Sequence, residues 1–469
     1  MNNHDFGIVG LGVMGRNLGL NIADHNFSVV GMARDPEKAA ALLREADEHM
    51  QISSTTDPAT FVGLLKSPKA IMLMVPAGDP VDETIATLLP FLNKGDIIVD
   101  GGNSYFSDTD RRFLELEAKG IHFFGMGVSG GENGARFGPS MMPGGDKKAY
   151  ERLRPVFEAV SAKVNGEPCV TYLGNGSAGN YVKMVHNGIE YGIMQLIAET
   201  YGILKNGLKL SDAAVQEIFS RWNDTNLQSF LIEITGKVLN KFDDDSTERL
   251  VNLVSDVARS KGTGKWTSQD AMELQVPVPT IDAAVNMRDL SKYKSERILA
   301  SEQLIWAGAT NFSEEESVLV NRFQDALYFA IVNTYAQGLA QLQVASETYD
   351  YGLNLEDITR IWRGGCIIRS VSLEDFRKAY NRNPKLPNLL LDNEIGNDLS
   401  AKQSAIRDTV KLAVDLGLPV PAFMASLSYF DAYRSAKLPT NLIQAQRDYF
   451  GAHLYERTDR SGTHHSQWD

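Results

Sequence analysis

The chain has 469 residues, 43% of them hydrophobic and 22% charged, so it can bury a large core and divides at ordinary domain size into two or three domains. Its net charge of −13 opposes binding to a phosphate backbone and argues against a nucleic-acid partner, while leaving room for a local basic pocket. Cys169 and Cys366 form no CxxC pair and have no histidine beside them, which excludes the usual zinc and disulfide frameworks; no metal is expected.

The first residues carry no charged stretch followed by an apolar run, and no segment approaches the ~20 apolar residues that span a membrane, so no membrane contact and a cytoplasmic location are expected. Residues 6–10, 28–32, 70–75, 96–100 and 122–125 are short, β-branched or aromatic, and bounded by Gly, Asp or Pro; they read as strands. Amphipathic stretches separate them, and this order predicts an α/β Rossmann-type domain with a parallel, doubly wound sheet over residues 1–177. Beyond Ser177 the strand signals fade, and residues 178–434 predict a large all-α domain whose longest helix covers residues 181–206. Ala198-Glu199-Thr200-Tyr201, followed by Gly207-Leu208 and Trp222, is echoed by Ser346-Glu347-Thr348-Tyr349, Gly352-Leu353 and Trp362, which suggests an internal helical repeat. Residues 435–469, polar and punctuated by Pro439, Gly451 and Gly462, predict a C-terminal tail crossing a surface.

Gly10-Leu11-Gly12-Val13-Met14-Gly15 is a GxGxxG placed directly after a predicted strand and opening a helix. Gly10 permits the tight turn, Gly12 lets the backbone approach a pyrophosphate, and Gly15 lets helix and strand pack closely. The helix N-terminus then offers free N–H groups to the phosphates. At the end of the second strand, Ala33-Arg34-Asp35 gives a mixed signal. The planar fork of Arg34 suits the 2′-phosphate of NADP, whereas Asp35 suits the ribose 2′-OH of NAD. The balance leans to NADP and leaves NAD open.

Asp100-Gly101-Gly102-Asn103-Ser104 and Gly127-Val128-Ser129-Gly130-Gly131 both follow predicted strands, at the carboxyl edge where doubly wound sheets bind ligands. Consecutive glycines there expose N–H groups that can hold a carboxylate. On one helix, Lys183, His186, Asn187, Glu190 and Tyr191 stand at i, i+3, i+4, i+7 and i+8 and therefore share a face. Polar groups on an otherwise apolar helix need partners, which marks this face as a candidate site. Lys261-Gly262-Thr263-Gly264-Lys265-Trp266 is a glycine-flanked basic loop suited to a phosphate. Arg288 and Arg447 are isolated candidates for the same task, and taken alone each reads as a surface Arg.

Taken together these blocks resemble the 6-phosphogluconate dehydrogenases over essentially the whole chain, most specifically at residues 125–138, 138–145, 181–191, 261–269 and 444–453. The resemblance implies a homodimer with a shared active site, and oxidative decarboxylation of the phosphorylated sugar acid 6-phosphogluconate by NADP. It implies Lys183 as general base and Glu190 as the acid that protonates the product carbon. Asn103, Ser129, Gly130, Gly131, His186 and Asn187 are then expected at the carboxylate and hydroxyls, and Tyr191, Lys261, Thr263 and Arg288 at the phosphate. Arg447 and His453 are expected to come from the partner subunit. Gly10 to Gly15, Ala33, Arg34, Asp35, Val75, Pro76, Ala77 and Asn103 are expected around the cofactor. The chain departs from the family pattern at Ala33 and Asp35, where Asn and Ser or Thr are common, at Pro76, where Lys is common, and at Asn180, where His is usual. The alternatives are an NAD-preferring form of the same enzyme, another β-hydroxyacid dehydrogenase, which would not need the phosphate residues, or a binding protein that keeps the fold, which would not need Lys183 and Glu190.

Overall fold

The computed structural model describes residues 4–260, 262–306 and 314–468. Seven strands form the sheet: β1 (Phe6–Val9), β2 (Val29–Met32), β3 (Ile52–Thr55), β4 (Ala70–Leu73), β5 (Ile97–Asp100), β6 (His122–Ser129) and β7 (Ser140–Gly145). Their order is β3-β2-β1-β4-β5-β6-β7, parallel throughout except for the antiparallel β6–β7 pair. The crossover between β1 and β4 makes the switch point at which such sheets bind ligands.

The expected Rossmann-type sheet is therefore present, with three differences. β3 reads Ile-Ser-Ser-Thr and is only half-buried, so no apolar run announces it. β7 contains Pro143 and two glycines, tolerated because it is an edge strand. β6 continues past Gly125 to Ser129, because Gly125 and Gly127 are not strand breakers here. They clear space for a helix: a Cβ on Gly125 would stand 1.7 Å from Asn180 Oδ1, and one on Gly127 2.3 Å from Lys183 Cβ.

The rest is helical. The Ala178–Gly202 helix packs against β6 and β7, and its far side packs against the Glu316–Thr348 helix. That second helix has 33 residues and is the longest described, so the expectation for residues 181–206 is corrected. Buried Asn333, Thr334, Gln337 and Gln341 interrupt its apolar pattern and hide its length from a hydrophobicity reading. Each long helix leads into a shorter one closed by a buried tryptophan, Asp212–Trp222 and Leu355–Trp362, which is where the repeated sequence pattern falls.

The tail forms the Thr440–Gly451 helix and a short hairpin of Tyr455–Glu456 with Thr463–His464. Asp448 knits them together, accepting from Leu454 N at 3.0 Å, Ser466 N at 3.1 Å and Trp468 Nε1 at 2.9 Å. Leu442, Ile443 and Phe450 remain largely exposed on this tail. Among the described residues no helix is long and apolar enough to cross a membrane.

Candidate active site

A cleft of about 1600 Å³ runs from the GxGxxG turn to the polar face of the Ala178–Gly202 helix. At its first end Gly10 has φ +97°, and a Cβ there would lie 2.5 Å from Met74 O. A Cβ on Gly15 would lie 2.0 Å from Gly10 O, whereas one on Gly12 meets nothing within 4 Å. Gly10 and Gly15 thus shape the turn, and Gly12 presents bare backbone to open space. No side chain caps the Val13–Asp24 helix, so its first N–H groups remain available to an anion. Leu11, Val13 and Met14 line the same wall, and these features fit a dinucleotide.

Beyond the turn lie Ala33, Arg34 and Asp35 on one wall and Val75, Pro76 and Ala77 on another. Asp35 is the N-cap of the Pro36–Arg44 helix and accepts from Glu37 N at 2.9 Å. Arg34 donates to Glu83 Oε2 at 3.0 Å. The buried Arg112 donates to Gly78 O at 3.1 Å and to both Asp82 oxygens at 2.9 and 2.7 Å, with Asp100 at 3.6 Å. Asp100 in turn accepts from Gly102 N at 3.0 Å and Ser104 Oγ at 2.6 Å. Together these bonds fix both loops at the edge of β4 and β5 and leave Asn103 exposed in the cleft.

The second end is built on the Ala178–Gly202 helix. Gly179 approaches the sheet so closely that a Cβ would lie 2.3 Å from Met142 O and 2.5 Å from Gly125 O. One turn on, Lys183 is buried and donates to Asn187 Oδ1 at 2.7 Å, with His186 Nδ1 at 3.3 Å. His186 Nε2 lies 3.3 Å from Ser129 Oγ, and Glu190 Oε2 lies 3.8 Å from His186 Nδ1. Burial lowers the Lys183 pKa from its ordinary value, and the Glu190 charge pushes the other way. Burial raises the Glu190 pKa, opposed by Lys183 and Arg288. His186 is held well below its ordinary value, first by burial and then by Lys183. The group therefore joins a lysine that sheds its proton more readily than usual to a carboxyl that keeps its proton more strongly than usual.

A third group closes this end. Arg288 stacks 3.5 Å above the Tyr191 ring. The Thr263–Glu273 helix docks on the Lys183 helix through Thr267 Oγ1, which donates to Met184 O at 2.8 Å. A Cβ on Gly264 would stand 2.4 Å from Tyr191, and one on Gly188 2.5 Å from Thr267, so both glycines are needed for that approach. Thr263 opens this helix after Gly262 at φ +93°, with no side-chain cap on its N–H groups.

The structure thus brings Ser129, Gly130, Gly131, Lys183, Asn187, Glu190, Tyr191, Thr263 and Arg288 to one cleft with the GxGxxG wall. His186 is not at the cleft surface. It is fully buried behind Lys183 and Asn187, its ring edge-on to Trp362 with centroids 5.6 Å apart. Lys261 lies outside the described residues. Arg447 and His453 lie on the tail rather than in the cleft; Arg447 donates to Gln444 Oε1 at 3.0 Å and His453 packs on Phe450. Several lining residues escape the sequence reading: Lys38, Arg259, Ser260 and Ile367. Ile367 follows Gly364-Gly365, and a Cβ on Gly130 would stand 2.6 Å from Gly365 O, so this loop buttresses the Ser129-Gly130-Gly131 turn. Two consecutive glycines after Trp362 are the signal that could have exposed it.

The chain matches the NAD binding domain of 6-phosphogluconate dehydrogenase over residues 5–174 and the 6-phosphogluconate dehydrogenase C-terminal domain over residues 179–468. It is 50% identical to the "6-phosphogluconate dehydrogenase, decarboxylating" of Lactococcus lactis subsp. lactis (strain IL1403), covering 99% of this chain and 98% of that protein. It is also 50% identical to the "6-phosphogluconate dehydrogenase, NADP(+)-dependent, decarboxylating" of Bacillus subtilis (strain 168), over the full length of both. A Plasmodium falciparum 6-phosphogluconate dehydrogenase, solved in its apo form, with its cofactor NADP+ and with its substrate 6-phosphogluconate, superposes with a TM-score of 0.95 at 44% identity and covers 99% of this chain. With its sheet, its cleft and both halves of its sequence matched, this chain belongs to the 6-phosphogluconate dehydrogenase family.

Proposed function

We propose that the chain converts 6-phosphogluconate to ribulose 5-phosphate and CO2 with reduction of NADP, in the oxidative pentose phosphate route. One observation carries the reading. The buried Lys183, with a lowered pKa, sits between a dinucleotide cradle and a corner of Tyr191, Thr263 and Arg288. The cation stacked on Tyr191 and the uncapped helix start at Thr263 suit a phosphate monoester. An unphosphorylated hydroxy acid would leave that corner unused. The names of the full-length relatives support the same substrate and cofactor.

In this mechanism neutral Lys183 takes the proton of the C3 hydroxyl. A nicotinamide dinucleotide held along the Gly10 to Gly15 wall would supply the acceptor for the hydride that leaves C3. Lys183, now charged, faces the C3 ketone, and the C1–C2 bond of the β-keto acid breaks with loss of CO2, its electron pair passing through C2–C3 to the ketone oxygen, which takes the Lys183 proton to give an enediol. Glu190, whose proton burial holds more tightly than usual, delivers it to the former C2, which becomes C1 of the pentulose, as Lys183 takes back the proton of the enediol hydroxyl. Asn187 orients Lys183 through the 2.7 Å bond, and the buried, neutral His186 braces both. Ser129, Gly130, Gly131 and Asn103 hold the carboxylate and hydroxyls.

We further read the molecule as a cytoplasmic homodimer in which the tail supplies Arg447 and His453 to the partner's cleft; its exposed Leu442, Ile443 and Phe450 support an intersubunit role. The test is dinucleotide reduction with 6-phosphogluconate, with CO2 release measured in parallel. Turnover with one CO2 per reduced cofactor is expected. A folded protein that reduces NADP with an unphosphorylated acid, and not with 6-phosphogluconate, would sink the assignment. An NAD-preferring variant of this reading draws on Ala33, Asp35 and Pro76, and the ratio of kcat/KM for the two cofactors decides it.

Glu190→Gln cannot deliver a proton, and kcat should fall about 10²- to 10⁴-fold. Because the Glu190 charge raises the Lys183 pKa, its removal should also move the acidic limb of the pH–rate profile to lower pH. A shift to higher pH, or a kcat near wild type, would contradict both the role and the coupling.

A further inference from the structure

Two carboxylates flank Arg34 at the outer end of the cleft, and they are engaged differently. Asp35 is committed to its own helix, capping Pro36–Arg44 through the 2.9 Å bond from Glu37 N. Glu83 belongs to the Asp79–Leu88 helix on the facing wall, where Pro80 and Thr84 line the cleft. It takes Arg34 Nη2 at 3.0 Å. Both partners of that pair are exposed, at 80% and 58%, so an arriving ligand can reach the guanidinium. Lys38, one turn into the capped helix, lines the same end.

We propose that Glu83 is a specificity-determining residue for the dinucleotide, competing with a ribose 2′-phosphate for Arg34, and that Asp35 acts as a helix cap and not as a ribose ligand. This rests on the dinucleotide reading of the cleft. A 2′-phosphate has to displace Glu83 from Arg34 or lie within its repulsion, and Arg34 and Lys38 supply the attraction. A nucleotide without that phosphate leaves the Arg34–Glu83 pair intact. Glu83 therefore narrows the margin between NADP and NAD. The competition is set by an exposed ion pair, which commands a few-fold and not an inversion.

The test is calorimetric titration of wild type, Glu83→Gln and Asp35→Asn with 2′,5′-ADP and with 5′-AMP. Glu83→Gln should bind 2′,5′-ADP about two- to fivefold more tightly at low salt and bind 5′-AMP as wild type does. Asn is as good an N-cap as Asp, so Asp35→Asn keeps the fold and should bind 5′-AMP as wild type does. Unchanged or weaker 2′,5′-ADP binding in Glu83→Gln, equal tightening of both nucleotides, or weaker 5′-AMP binding in Asp35→Asn overturns the proposal. A wild-type protein that binds neither nucleotide removes the dinucleotide reading itself, and the proposal with it.

Discussion

Lys183→Ala should lower kcat by about 10³-fold or more while leaving 2′,5′-ADP binding near wild type, because proton transfer by a positioned side chain is worth about 10²- to 10⁴-fold and Lys183 is also the proposed cation facing the developing enediol. The cofactor phosphates are assigned to the Gly10 to Gly15 turn, on a different wall of the cleft, so nucleotide affinity is the control for an intact fold. Lys183→Arg separates the two roles. It keeps the positive charge but stays charged at any working pH, so it cannot take the hydroxyl proton. If Lys183 is the base, Arg should fail almost as badly as Ala. In wild type the sign of the pH dependence follows from the lowered pKa: activity is lost as falling pH protonates the lysine, and the limb lies below the ordinary lysine range. Arginine supporting turnover within tenfold of wild type would show that charge alone is needed and that another group takes the proton.

The parts of this site readable in the sequence are those made by local chain geometry. GxGxxG needs only a strand, a turn and a helix within one segment, and the polar stripe from Lys183 to Tyr191 follows from helical periodicity alone. Asp35 was read as a partner for the ribose 2′-OH, whereas the structure makes it a helix cap, a role that the helix-start pattern Asp-Pro-Glu also fits. What stayed hidden depends on contacts between distant segments. Lys38 and Ile367 become lining residues only when their walls meet, and periodicity on the helix could not show that His186 is covered by Trp362. β3 was lost because a half-buried edge strand carries no apolar run, and β7 because Pro143 and two glycines break its strand signal although it is buried throughout. Gly125 and Gly127 misled for a different reason: glycine in a strand reads as a terminator, yet here it marks the close approach of the Ala178–Gly202 helix and its side chains.

That close approach makes Gly127→Ala the sharper test of how the catalytic geometry is set. Its added methyl would stand 2.3 Å from Lys183 Cβ, 2.8 Å from Lys183 Cγ and 3.2 Å from Gly179 O. The obstacle is the root of the lysine side chain, not its flexible end, so rotation of Lys183 cannot relieve it. The helix cannot retreat freely either, because Gly179 and Gly144 are locked backbone to backbone, a Cβ on Gly144 standing 2.3 Å from Gly179 N. The methyl therefore has to push Lys183 out of line with Asn187 or lift the first turns of the helix off β6. Overpacking of this kind costs about 1–3 kcal/mol of stability, read by urea denaturation. A displacement of about 1 Å at a catalytic group costs about 10²-fold in kcat. Gly63→Ala is the control, since an added methyl there meets nothing within 4 Å. If Gly127→Ala keeps wild-type kcat and stability, the helix is not seated on β6 as tightly as these distances require. If stability falls but kcat does not, the position of Lys183 is set from the Asn187 side of the helix, and the strand serves only as its bed.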